Sequence, residues 1–165
     1  MPNLSPEIQR ANIAALADYL RTLPADYSHF NMGRYSYDDI GPADVSLAME
    51  CGTAACAVGH GPLADGIVQP GTICSSMVDS WNYYCLQAFG VDADGEVYKW
   101  LFDGDWVHTD NTIEGAVLRI EHYLKSGTYP QWFLDENGAV GLDYHGEDFG
   151  ESYEEFLNEQ RKENS

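Results

Sequence analysis

The chain has 165 residues, with 27 Asp and Glu against 8 Lys and Arg, a formal net charge of −19, and 44% hydrophobic and 13% aromatic content. That length and apolar fraction give one domain with a sizeable core and exclude a disordered polyelectrolyte. The charge argues against direct nucleic-acid binding, whose sequence-independent affinity requires cations, and no apolar run approaches the ~20 residues of a membrane span.

The start, Met1-Pro2-Asn3-Leu4-Ser5, lacks the basic and apolar regions of a signal peptide, so a cytoplasmic protein is expected, its four cysteines present as thiols. Ser5-Pro6-Glu7 opens a helix with a serine cap, proline at the first helical position and an acid in the first turn. Ile13, Leu16, Leu20 and Leu23 continue it at spacings of three and four, and Pro24 stops it. The stretch from Ala25 to Asp44 is aromatic and irregular, a loop pinned by Tyr27, Phe30, Met32, Tyr35 and Tyr37. Thr53 caps a short predicted helix that runs to Val58 and ends at Gly59, Gly61 and Pro62.

A Gly- and Pro-marked loop follows from Leu63 to Thr72. Asp79 or Ser80 then caps a helix with Trp81, Tyr84, Cys85 and Ala88 on one face, closed by Gly90. Val97, Trp100, Leu101 and Phe102 predict another helical piece ended by Asp103-Gly104-Asp105. Asn111 and Glu114 form a capping-box-like start for a helix striped by Ile113, Ala116, Val117, Ile120 and Leu124, with Gly127 at its end. Between Gln131 and Tyr144, Asn137-Gly138 stands between apolar runs, a hairpin signal. Ser152 and Glu155 box a last amphipathic helix carrying Tyr153, Phe156 and Leu157. The predicted fold is a single compact α+β domain, mainly helical, with a small β-hairpin. Residues 1–150 form the globular part and 151–165 an acidic C-terminal helix or tail. From Asp135 onward there are ten acids and two bases, a bias that suits a solvated tail or a docking surface.

Chemistry-bearing residues concentrate between Glu50 and Pro62. Cys51 precedes a predicted helix, whose start favours a thiolate, and the Gly52 and Thr53 amides can hold an oxyanion. His60 or His145 would be the base. The competing reading makes Cys51 and Cys56 small buried hydrophobes near a tight turn. Cys56 and His60, with Cys51 and Cys74, make only one loose ligand pair, short of the two close pairs of a structural zinc site, so neither metal nor cofactor is expected. A Gly-rich turn feeding a helix start also presents free N–H groups to an anion. The Gly-Lys-Ser/Thr ending of a nucleotide-binding P-loop is absent. Cys51, Gly52 and Thr53 are therefore ligand-binding candidates, with the scarce cations Arg34 and Arg119 as counter-charges; pairing with a carboxylate is the alternative for both arginines. Asp103, Asp105 and Asp110 bracket Trp106 and His108, but Asp110 and Asn111 are better assigned to capping the next helix.

Phe30-Asn31-Met32, the run Cys51 to His60, Trp100-Leu101-Phe102 to Trp106, and Asp110-Asn111-Thr112-Ile113-Glu114-Gly115-Ala116 with Arg119-Ile120 occur in this order. The combination resembles a group of small uncharacterised bacterial and phage proteins, over roughly residues 5 to 130. The resemblance implies a bacterial or phage cytosolic source and brings no activity or catalytic residue with it. Together with the acidity it favours a binding protein without catalysis: a counter-defence factor that occupies a basic host protein or sequesters a small anionic, nucleotide-like metabolite. The alternative is a thiol-dependent hydrolase or transferase using Cys51 with a histidine base.

Overall fold

Five α-helices and three short 3-10 turns carry the fold in the computed structural model, which describes residues 4–33, 42, 56–71, 78–134 and 147–165. Helix α1 (Pro6–Thr22) starts as the sequence predicts: the Ser5 side chain accepts from the Ile8 amide, and Pro6 fills the first helical position. Its apolar stripe of Ile13, Leu16, Ala17 and Leu20 is buried, and the chain turns off when the Leu23 amide bonds back to the Leu20 carbonyl at 3.1 Å. Helix α2 (Val78–Phe89) closes at Gly90, which takes φ +68°, a left-handed conformation that glycine adopts without strain. Helices α3 (Glu96–Phe102) and α4 (Ile113–Ser126) follow, and α5 (Glu147–Glu163) ends the chain.

The long helix α1 packs mainly on α4 and then on α2, while α4 also meets α3 and α5. A buried Asn12 ties α1 to its neighbours. Its amide nitrogen donates to the Val68 and Ala88 carbonyls at 2.9 and 2.8 Å, and its oxygen accepts from the Val68 amide at 2.8 Å. That arrangement satisfies the loop backbone and the end of α2 with a single side chain.

The middle of the core is aromatic. Trp100 of α3 meets Trp106, Trp132, Phe133 and Phe156 edge-on, at centroid distances of 5.7, 5.9, 5.1 and 5.1 Å, a geometry the ring quadrupoles favour. Its indole N–H donates to the Arg119 carbonyl at 3.1 Å. Phe156 reaches this cluster from α5, and Tyr153 and Leu157 are buried beside it. The acidic C-terminal segment is therefore a helix with one face in the main core, and position 150 lies inside it.

Three expectations are corrected. The fold is all-helical and not α+β: no sheet forms among the described residues. Where the hairpin should begin, Gln131–Phe133 forms a 3-10 turn after Pro130, with the Phe133 amide on the Pro130 carbonyl at 3.0 Å. Burial of Phe133 against Trp100 and Trp106 outweighs the alternating pattern there; Asn137-Gly138 lies outside the described residues. The helix expected from Thr53 to Val58 begins outside the described residues; where Gly59, Gly61 and Pro62 should end it, a 3-10 turn over Val58–Leu63 runs through all three. A Cβ on Gly61 would stand 2.8 Å from the Tyr84 hydroxyl oxygen, so close approach to α2 explains this glycine. The cap of α4 is Thr112, whose hydroxyl accepts from the Gly115 amide at 3.0 Å; Asn111 accepts from the Met32 amide at 2.7 Å instead.

Candidate functional site

Of the candidate nucleophile, base and anion-binding residues, His60 and Arg119 lie among the described residues. Cys51, Gly52, Thr53, Arg34, Cys74 and His145 lie outside them. His60 sits in the 3-10 turn at 0% exposure. Its Nδ1 is 2.9 Å from the Cys56 carbonyl oxygen, which can only accept, so the proton resides on Nδ1. The opposite nitrogen, Nε2, is buried and has no hydrogen-bond partner among the described residues. The rings of Tyr19, Tyr27 and Phe30 surround the imidazole at 6.2, 5.9 and 5.8 Å. Burial lowers the His60 pKa below the usual histidine range, with a smaller rise from the Cys56 carbonyl. The imidazole is therefore neutral at pH 7 and oriented, as a general base must be, but closed off from solvent.

The thiols nearby are inert by the same physics. Cys56 and Cys85 are free and buried. Desolvation raises Cys56 to about 11 and Cys85 well above the ordinary thiol value, so neither supplies a thiolate at neutral pH. Cys56 and His60 meet through a main-chain carbonyl and not as two metal ligands. No group of three His, Cys, Asp or Glu side chains that could hold a metal ion occurs among the described residues.

Arg119 lies on the buried side of α4 with 0% exposure. Its guanidinium carbon stands 4.1 Å over the Trp106 ring, a cation–π contact strengthened by the burial of both groups. Its Nη1 donates to the Tyr153 hydroxyl at 2.6 Å, and that hydroxyl donates to Asp110 Oδ2 at 2.5 Å. Asp110 Oδ2 is itself 3.8 Å from Nη1, and Asp110 Oδ1 accepts from the Thr112 amide and hydroxyl. Burial pushes the Tyr153 phenol up, and the hydroxyl stays protonated between the two charges. The buried cation is thus compensated by a carboxylate, a phenol and an indole face. Nε and Nη2 have no hydrogen-bond partner among the described residues.

His60 and Arg119 share none of these surroundings, so the structure does not bring the two described candidates together. Asp103 accepts from the Asp105 amide at 3.0 Å and caps the turn Gly104–His108, a structural role. Tyr153, the hinge of the Arg119 network, escapes sequence reasoning because it lies 34 residues away in the chain. The available signal is an arginine embedded in the apolar run Val117-Leu118-Arg119-Ile120, which marks a buried cation in need of a partner.

An open cleft of about 730 Å³ lies elsewhere, with Leu20, Leu23, Val117 and Leu118 on its walls. Arg21 pairs with Glu121 and Arg161 with Glu114 along its edge, and Asn164 donates to Glu121 at 2.8 Å. Neither His60 nor Arg119 lines it. No helix among the described residues is long and apolar enough to cross a membrane. No family model matches the chain, and no curated protein or solved structure is significantly similar to it.

Proposed function

We propose that this is a binding protein without catalysis, whose acidic surface holds a basic protein partner in the cytosol. The observation that carries this reading is how the cations are used. Of the eight in the chain, Arg10 is bound to the Leu124 carbonyl, Arg21 to Asp18 and Glu121, Arg119 to Asp110, Lys125 to Glu163 and Arg161 to Glu114. Four of these cations thus pair with carboxylates and Arg10 with a main-chain carbonyl, so five are engaged within the chain while an excess of carboxylates remains for the outside. Helix α5 exposes Glu151, Glu155 and Glu159 on successive turns while its other face is buried. A field of that sign attracts a basic surface and repels a polyanion or an anionic metabolite. Arg119, the described candidate for an anion's counter-charge, is shut inside the fold.

The resemblance to bacterial and phage proteins supports a host protein as the partner and a counter-defence role. The burial of His60, closed off from solvent, supports this reading over a thiol enzyme that would use His60 as the base for Cys51. The test uses a fluorescent Lys- and Arg-rich peptide as the probe. The combined variant Glu151→Gln, Glu155→Gln, Glu159→Gln should weaken its binding more than Asp92→Asn, Asp94→Asn, Glu96→Gln, which removes the same charge from an exposed turn on another part of the surface. Equal losses would reduce the charge to a solubility device, and unchanged affinity in both variants would remove the proposal.

A further inference from the structure

Walls and edge differ in chemistry at the open cleft of about 730 Å³. Leu20 and Leu23 come from the end of α1, where the chain turns off, and Ile113, Val117 and Leu118 from the first two turns of α4. Ala25, small and exposed, stands among them. The edge is charged. On the α1 side, Arg21 is shared by Asp18 and Glu121. On the α5 side, Arg161 donates to both oxygens of Glu114, at 3.0 and 3.1 Å, and stands 3.9 Å from Glu154. Among the described residues, two arginines at this edge thus meet four carboxylates. Both guanidinium groups are committed within the chain. Asp18 and Glu154, by contrast, are 77% and 65% exposed, and an ionised carboxylate accepts about four hydrogen bonds.

We propose that this cleft docks an amphipathic basic segment of the protein partner. Large apolar side chains of that segment enter the cleft, and flanking Lys or Arg side chains lie on Asp18, Glu114, Glu121 and Glu154. The inference rests on the proposed function for the sign of the partner; it adds where that partner docks and what it carries besides charge. An anionic segment would meet the surplus carboxylates, and a neutral one would bring them no cation. A basic amphipathic segment uses walls and edge together, in the manner of an apolar helix face laid into a groove. The volume is that of a cleft able to take several side chains. Glu154 also joins the cleft to the acidic face of α5. It lies three residues after Glu151 and seven before Arg161, so it shares a flank of the helix with both. A segment seated in the cleft therefore continues onto Glu151 and Glu155 without leaving negative surface.

Three fluorescent peptides of one length test this on the full chain by anisotropy. The first carries leucines at helical spacing among lysines and arginines. The second has serine for every leucine, and the third keeps the leucines but has glutamine for every cation. The first should bind about tenfold or more tightly than either of the others, the worth of one well-buried apolar side chain. Ala25→Trp, which fills the cleft from an exposed position, should remove that advantage and leave the affinity for the second peptide unchanged. Leu23→Gln, at the half-buried end of α1, should do the same and serves if the tryptophan disturbs the helical circular dichroism. Equal affinity for the first and second peptides, or an advantage that survives both variants, would overturn the cleft as the docking site while the acidic surface kept its role. Equal affinity for the first and third would overturn the basic occupant. Binding of neither the first nor the second would remove the proposed function, and this inference with it.

Discussion

Single residues in this protein are held by what their neighbours cannot tolerate. Gly115, on the first turn of α4, shows this most sharply: a Cβ there would overlap the Asp110 carboxylate. Gly115→Ala should displace Asp110 from Tyr153 and Arg119 and leave a buried guanidinium poorly compensated. The expected cost is roughly 2–4 kcal/mol, read by urea denaturation, well beyond the small gain alanine gives an ordinary helical glycine. Tyr153→Phe, which removes the shared hydroxyl and keeps the ring, should cost less, about 1–3 kcal/mol. A Gly115→Ala protein as stable as wild type would mean the network is not what holds α4 to α5. His60 makes a pH prediction of definite sign. Burial lowers its folded-state pKa below the unfolded value, so the unfolded chain binds the proton more readily. The stability this contributes is complete above the ordinary histidine value of about 6.5 and is lost as pH falls below it. His122 is shifted the same way by partial burial, so the comparison must isolate His60. His60→Asn keeps a donor for the Cys56 carbonyl but does not titrate. Thermal melts from pH 7.5 to pH 5.5 should show a smaller fall in Tm for this variant than for wild type, and parallel falls would contradict the assignment.

At the scale of elements, legibility in the sequence followed how local the determining physics is. Helix α1 is readable because Ser5, Pro6 and the stripe from Ile13 to Leu20 lie within one segment. The closures at Gly90 and Gly127, both at positive φ, are equally local. The choice of cap for α4 was not, because Asn111 is drawn away by the Met32 amide, 79 residues distant in the chain, and Thr112 takes its place. The turn at Gln131–Phe133 is decided by the aromatic cluster that Phe133 enters, so alternation in the sequence misled. The candidate site was legible in part. His60 and Arg119 stood out by residue type, but the Tyr19, Tyr27 and Phe30 cage and the Tyr153–Asp110 pair are tertiary and carry no spacing signal. Helix α5 is the element whose standing changes most. Its acidity reads as a tail, yet Phe156 lies 5.1 Å from Trp100, ring centre to ring centre. Phe156→Ala should therefore lower stability by about 3–5 kcal/mol, the range for removing a buried ring. A loss under about 1 kcal/mol by denaturant titration would mean the helix is only loosely attached.

The whole molecule combines an internally paired set of cations with an outward excess of carboxylates. The pairs Arg21–Glu121, Lys125–Glu163 and Arg161–Glu114 each link different helices or segments. They are exposed and contribute little to stability individually. Their larger consequence is electrostatic, because a cation bound to its own chain's carboxylate is not offered to a ligand. The remaining negative field should act at a distance, before contact. The most direct test of the proposed function is accordingly a rate: stopped-flow association of the full chain with the labelled basic peptide as ionic strength is raised. The association rate constant should fall about tenfold or more between about 20 and about 300 mM salt, with a much smaller change in dissociation, as steered encounter requires. An association rate that does not change with salt would contradict binding through the acidic surface.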